Sequence, residues 1–158
     1  MYHLVKRTID FLAALIGLLI ASPILLLTII VLKCTGEGKI FFTQQRVGYK
    51  NKPFKIWKFI SMVSNAQQAP DGTITGKNDM RITPVGHFLR NSKIDELPQL
   101  WNILMGDMSF VGPRPLMREP DFNSYSPEVQ ATIYNTRPGV TAIGSVVFRD
   151  EALSLIHI

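Results

Sequence analysis

The chain has one cysteine, Cys34, in 158 residues, so no internal disulfide can staple it. That usage fits a reducing compartment. Cys34 follows the apolar stretch described below, a position that permits S-acylation, although a free thiol beside a membrane is the simpler reading. Histidine is nearly as scarce: His3, His87 and His157 are scattered and make no metal-ligand spacing. Acidic residues are outnumbered, 12 against 17 Lys and Arg, giving a formal charge of +5 and a pI near 9.5. This excess points to an acidic partner. No familiar nucleic-acid motif accompanies it and the lysines gather just after the apolar stretch. No nucleic acid is therefore expected, and anionic head groups or phosphorylated substrates are the candidates. Internal repeats and low-complexity tracts are absent too.

What the sequence does have is FLAALIGLLIASPILLLTIIVL, residues 11–32. As a helix it would reach about 33 Å, against a hydrocarbon core of about 30 Å, so length permits a crossing. Ser22-Pro23 interrupts it. Pro23 has no N–H for the carbonyl of Leu19 and its ring presses on that group, whereas the Ser22 hydroxyl can reach back to Leu18 or Leu19. A bent helix is the first inference. Basic residues flank both ends, Lys6 and Arg7 before and Lys33 and Lys39 after, so the positive-inside bias favours neither crossing orientation. A re-entrant helix-break-helix with both ends on the cytoplasmic side satisfies both flanks; a transmembrane helix kinked at proline is the alternative. The run exceeds a signal peptide's apolar region, and no cleavage site follows it.

The expected organisation is a membrane segment, residues 1–38, and a cytoplasmic domain, residues 39–158. KIFFTQ and KPFKIWKF predict a short β-hairpin around RVGYKNKP. Lys50, Lys52, Lys55 and Lys58 would give it a basic face, with Phe54, Ile56, Trp57 and Phe59 against head groups, unless the lysines are simply a solvated face over a core. Residues 64–82 read as a polar loop. Thr83-Pro84 then opens a helix through HFLRN, and Leu97, Leu100, Trp101 and Leu104 mark one face of a second helix that Gly106 ends. Ser126-Pro127-Glu128 starts a third, closed by Arg137-Pro138-Gly139. The fold class is α/β, mainly helical.

In SKIDELPQLWN, Asp95 and Glu96 precede Pro98, which belongs in the opening turn of a helix. As plain structure, Asp95 is an N-cap and Glu96 complements the helix dipole. Chemistry is favoured by the neighbouring GDMSFVGPRP, where Pro113 and Pro115 stiffen the backbone around Arg114 and Gly112 permits close approach. A held guanidinium suits phosphate, and Arg90 can join it. Carboxylates for a hard cation, arginines for phosphate and a membrane anchor together point to phosphoryl chemistry at a bilayer surface.

The order KRTIDF, Ser22-Pro23, FFTQQRVG, FKIWKF, RITPVGHFLR, DELPQLWNILMGDMSFVGPRP and RPGVT closely resembles the monotopic polyprenyl-phosphate phosphoglycosyl transferases, a family of bacterial sugar transferases. The resemblance spans about residues 3–150. It implies a re-entrant helix broken at Ser22-Pro23, at the cytoplasmic face of the bacterial inner membrane. It implies transfer of a sugar phosphate from a UDP-sugar to polyprenyl phosphate, usually undecaprenyl phosphate, with release of UMP. Asp95 matches the nucleophile that forms a covalent phosphosugar intermediate, and Glu96 the second member of the acidic dyad. Both are implied Mg²⁺ ligands. Arg90 and Arg114 would hold phosphates, with Arg137 and Lys58 as further substrate-binding candidates. Many relatives read GWAQVNGR after RPGVT, where this chain has AIGSVVFRDE, and relatives continue for roughly forty more residues. The expectation is therefore a chain truncated at its C-terminus, with an inactive membrane-anchored scaffold protein as the alternative to an enzyme. Membrane lipids are expected partners; the sugar and the oligomeric state, a homo-oligomer included, stay open.

Overall fold

The computed structural model describes residues 2–35, 38–63, 79–119 and 121–142. The apolar run lies within a single helix, α1, Tyr2–Thr35, with Pro23 inside it. The helix is continuous through Ser22-Pro23, so the expected helix-break-helix is not confirmed. The Ser22 hydroxyl supplies the reason: it donates to the Leu19 carbonyl at 2.7 Å, the group that Pro23 cannot serve. Among the described residues, α1 is the one helix long and apolar enough to cross a bilayer.

The rest of the chain grips α1 along much of its length. Near its start, Arg7 donates to the carbonyls of Ile103 and Leu104 at 2.5 and 2.7 Å, and Ala14 is fully buried against Ile56, Ile103 and Met108. Near its end, Leu32 is buried with Phe59 and Leu89, and Leu25 and Ile29 pack at the edge of that cluster. Burying a side chain of the size of Leu32 contributes roughly 1.5–3 kcal/mol, and the single methyl of Ala14 roughly 0.8 kcal/mol. A straight helix would separate Ala14 and Leu32 by about 27 Å, close to the thickness of a hydrocarbon core. Lys6 and Arg7, which the sequence presents as a topology signal, are thus spent on internal contacts.

Strands β1, Phe41–Val47, and β2, Pro53–Phe59, form the expected antiparallel hairpin, paired from Phe41↔Phe59 to Val47↔Pro53. Alternation gives it two unlike faces: Phe41, Trp57 and Phe59 lie on one, and Gln44, Arg46, Ile56 and Lys58 on the other. The expected single basic face does not form. Lys55 and Lys58 are an odd number of positions apart and project oppositely, while Lys50 lies in the turn, at φ 54°. Ile56 and Phe59, expected at head groups, are buried in two separate core clusters.

Helix α2, Pro84–Asn91, is capped by Thr83, whose hydroxyl accepts from the Gly86 amide at 3.0 Å. Helix α3, Gln99–Met105, ends at Gly106 with φ 96°, as its sequence predicts. Leu100 and Leu104 of the leucine stripe pack against the core cluster of Ala14, Ile56, Ile103 and Met108, but the most deeply buried residues of α3 lie beside the stripe. Gln99, Asn102 and Ile103 are buried, while Trp101 is 50% exposed. The cause is Asn102, which donates to the Lys55 carbonyl at 2.8 Å and accepts from the Trp57 amide at 3.0 Å, drawing its side of α3 onto β2. Strands β3, Ser109–Val111, and β4, Gly139–Thr141, pair in parallel, and α4, Pro127–Ile133, lies between them in sequence. A Cβ on Gly112 would sit 2.2 Å from the Arg137 carbonyl oxygen, so only glycine lets the two loops cross here. Most of the loop expected at 64–82, and the segment from residue 143 onward, lie outside the described residues.

Candidate active site

Asp95 and Glu96 do not cap α3. They form their own turn of 3₁₀ helix, Ile94–Glu96, entered through Lys93 in the left-handed region at φ 59°. Pro98 stands at the start of α3 instead, with no side-chain cap. The turn is short and held between α2 and α3, which fixes both carboxylates on the backbone rather than on a mobile loop.

Their surroundings push the two carboxylates apart. Burial raises the pKa of Asp95 and the neighbouring Glu96 adds to the rise, against the opposing pull of Lys58, Arg90 and Lys93. For Glu96, burial acts upward as well, but the charge and hydrogen bond of Lys58, with Lys93 and Arg114, outweigh it and the pKa falls. The Lys58 ammonium donates to Glu96 Oε1 at 2.7 Å. Asp95 is 7% exposed, and its Oδ1 is buried with no hydrogen-bond partner. A buried carboxylate oxygen without a donor is costly unless something else engages it.

Of the residues singled out from sequence, the structure thus brings Asp95, Glu96, Lys58, Arg90 and Arg114 into electrostatic range of one another. Arg90 is steadied by donating from Nε to the Ser61 hydroxyl at 3.0 Å. Arg137 is placed differently: its Nε donates to the Gly106 carbonyl at 2.7 Å, at the end of α3, and its guanidinium lies 5.3 Å from the Tyr49 ring centroid. No described contact brings it to the dyad.

Three residues that sequence reasoning passed over support the site. Arg46 of β1 is half-buried and its pKa is lowered, first by burial and then by the nearby charge of Arg114, with Asp121 opposing. Its guanidinium donates to the Pro115 carbonyl at 3.3 Å, and its Nε is buried without a partner. Tyr134 is buried and donates its hydroxyl to the Arg114 carbonyl at 2.6 Å while accepting from the Leu116 amide at 2.8 Å. Asn102 ties α3 to β2, as above. The sequence signal was present for Arg46, an arginine alternating with Gln44 on one strand face; Tyr134 had none, because its partners lie some twenty residues away.

The dyad can therefore act on an anionic group: a fixed carboxylate with an unpaired oxygen, a second carboxylate held ionised, and several cations around them. The bacterial sugar transferase family model matches residues 1–157. The chain belongs to that family. Among similar family members, a UDP-N-acetylgalactosamine-undecaprenyl-phosphate N-acetylgalactosaminephosphotransferase of Aeromonas hydrophila is 40% identical, over 92% of this chain and 34% of its own length. A putative undecaprenyl-phosphate N-acetylgalactosaminyl 1-phosphate transferase of Bacillus subtilis is 45% identical, over 72% of this chain and 63% of its own. The exopolysaccharide production protein ExoY of Rhizobium meliloti is 36% identical, over 92% and 70% respectively. The chain thus spans about a third of the Aeromonas protein's length.

A divalent ion is compatible with the site. Among the described residues no three His, Cys, Asp or Glu side chains cluster as a metal cage, but Mg²⁺ is commonly held by one or two carboxylates plus substrate phosphates. The unpaired Oδ1 of Asp95 and the ionised Glu96 fit that donor set.

Proposed function

We propose that this chain is a phosphoglycosyl transferase: it transfers a sugar 1-phosphate from a UDP-sugar to polyprenyl phosphate, releasing UMP and initiating glycan assembly. The observation that carries the reading is the unpaired, buried Oδ1 of Asp95 among Lys58, Arg90 and Lys93. Ionised Asp95 attacks the phosphorus bearing the sugar; an Asp95–phosphorus bond forms as the bond to the UMP oxygen breaks, and UMP leaves with the electron pair. A phosphate oxygen of the polyprenyl phosphate then displaces Asp95 from the same phosphorus. Lys58 and Arg114 hold Glu96 ionised, and Arg114, Arg90 and Arg46 offer donors to phosphate oxygens. Mg²⁺, bound through Asp95 and Glu96, would supply charge neutralisation on the phosphates.

The same proposal places the chain monotopically at the cytoplasmic face of the bacterial inner membrane, with α1 continuous but bent at Ser22-Pro23 so that both its ends stay on that face. The two grips on α1 support it. A domain holding both Ala14 and Leu32 of a helix that crossed perpendicularly would itself lie within the hydrocarbon. Cysteine labelling of residues 2–5 and 39–42 in intact cells checks this, and labelling of either flank from the periplasm would overturn it.

Chemistry is tested by incubating the full chain with UDP-sugars and Mg²⁺ and no acceptor. UMP up to one equivalent per enzyme is expected, with a sugar-phosphate adduct on the peptide containing Asp95. Turnover that yields no UMP until polyprenyl phosphate is added would replace the covalent route with direct transfer.

A further inference from the structure

The apolar face of the hairpin borders a groove of about 300 Å³ that the dyad chemistry does not use. Leu25 and Ile29 of α1 form one wall, Phe41 and Trp57 of the hairpin another, and Pro98 and Trp101 of α3 a third. Its lining is almost entirely apolar. It therefore offers a sugar, a base or a phosphate no compensation for lost water. Phe41 and Trp57 meet edge to face with ring centroids 5.8 Å apart, which preorganises that wall. Phe41 and Trp101 nevertheless stay 44% and 50% exposed.

Three features choose the occupant. One wall is the apolar helix itself, so the groove is continuous with the surface that meets hydrocarbon. Pro98 lies two residues after Glu96, so the groove's edge is at most about 7 Å of backbone from the dyad. Lys58 stands between Trp57 and Phe59 but projects from the opposite face, where it meets Glu96 at 2.7 Å. One strand thus presents hydrocarbon-binding rings on one face and a cation on the other. A ligand using both is apolar along its length and anionic at its end. A diacyl phospholipid fits less well, because its ester groups would enter a mouth that has no donors for them.

We propose that this groove holds the phosphate-proximal isoprene units of the polyprenyl phosphate acceptor, so that the phosphate emerges past Pro98 beside the dyad; this rests on the sugar-phosphate transfer reading above. Trp101 and Phe41 then determine acceptor affinity without touching the donor.

The test separates the half-reactions in the full chain. Trp101→Ala and Phe41→Ala should each raise the KM for undecaprenyl phosphate about tenfold, the effect of removing one buried apolar side chain. The donor-only UMP burst and the donor KM should hold, and Trp101→Phe should recover most of the loss. Against dimethylallyl phosphate, which carries one isoprene unit, both alanine variants should show a smaller preference for the long acceptor than the unmodified chain. The burst amplitude counts folded sites, so misfolding registers there and is corrected for. An unchanged acceptor KM, or donor and acceptor parameters moving together, would overturn the groove assignment. In an independent arm, a photoreactive prenyl phosphate should label groove peptides of the unmodified chain and be displaced by undecaprenyl phosphate. Equal displacement by phosphatidylglycerol vesicles would give the groove to bulk lipid and overturn the proposal. Absence of any UMP release from the unmodified chain would instead defeat the transfer reading, while the labelling arm still tests prenyl phosphate in the groove.

Discussion

Asp10 and Asp95 are buried to nearly the same degree, 6% and 7% exposed, and their surroundings could hardly differ more. Asp10, in the first third of α1, accepts from Lys6 at 3.0 Å, from the Ser109 hydroxyl at 2.9 Å and from the Phe110 amide at 3.4 Å. Lys6 also donates to Ser109, closing the network. Asp95 has an oxygen with no partner, a carboxylate next in sequence and cations that approach without saturating it. Burial alone does not mark a reactive group. A saturated carboxylate staples two elements together, whereas an unsaturated one is held ready for a ligand, at some loss of stability.

The largest break in this comparison is expected from Asp95→Asn. Activity should fall on the order of 10³-fold or more, since an amide is no anionic nucleophile. Stability should move the other way. Asp95 has a folded-state pKa above its unfolded one, so its favourable contribution is complete below the unfolded pKa and is lost as pH rises through the folded pKa. At neutral pH the variant should therefore melt above the unmodified chain, and thermal scans down to acid pH should show the gap closing. A lower melting temperature at neutral pH would mean that Asp95 is a structural carboxylate like Asp10.

Asp10→Ala should show the converse. Lys6 and Ser109 lose their common acceptor, at a loss of about 2–3 kcal/mol. That is below the full figure for a buried pair because the Lys6 side chain is 33% exposed. Denaturant titration measures the loss, and UMP burst rate per folded molecule should stay within a few-fold.

A smaller, sharper effect is expected in the pH profile. The first step needs ionised Asp95, so its rate should rise with pH through a midpoint above the ordinary carboxylate value of about 3.9. Lys58→Met removes a charge that draws both carboxylates down, and should move that midpoint further up. A midpoint unchanged by the substitution would separate Lys58 from the dyad's electrostatics.

Much of this was legible beforehand where the causes are local. Thr83-Pro84 opens α2, Gly106 ends α3, and KIFFTQ and KPFKIWKF pair as a hairpin, because capping, left-handed glycine and strand alternation act within a few residues. Long-range effects were not legible. Leu97, Leu100, Trp101 and Leu104 made a persuasive helical stripe, and Leu100 and Leu104 do pack on the core, but Trp101 stays half exposed and the buried tie to β2 is Asn102, whose partners are backbone groups on that strand. Lys6 and Arg7 looked like topology signals because nothing nearby in sequence shows that Ser109, Ile103 and Leu104 await them. The dyad was legible as a motif; the orphaned oxygen that distinguishes Asp95 from a helix cap was not, since it depends on what the folded chain fails to supply.

The same contrast between saturation and readiness applies at Tyr134, where the smallest effect is expected. Its hydroxyl bridges the Arg114 carbonyl and the Leu116 amide, so the backbone that carries the Arg114 side chain is pinned on both sides of Pro115. Tyr134→Phe keeps the ring that stacks on Phe122 at 5.9 Å but deletes both bonds. Each is worth roughly 0.5–1.5 kcal/mol, so the melting temperature should drop by only a few degrees. If the phenol serves mainly to aim Arg114, the donor KM should rise about tenfold, more than the stability loss accounts for, because a small displacement of a phosphate-holding group weakens binding steeply. Pairing the substitution with Arg114→Lys separates the two roles. The double variant should bind donor no worse than Arg114→Lys alone, since an aim without its guanidinium has nothing left to lose. Additive losses would make Tyr134 a packing residue of its own cluster with Val47 and Phe122, independent of the phosphate site.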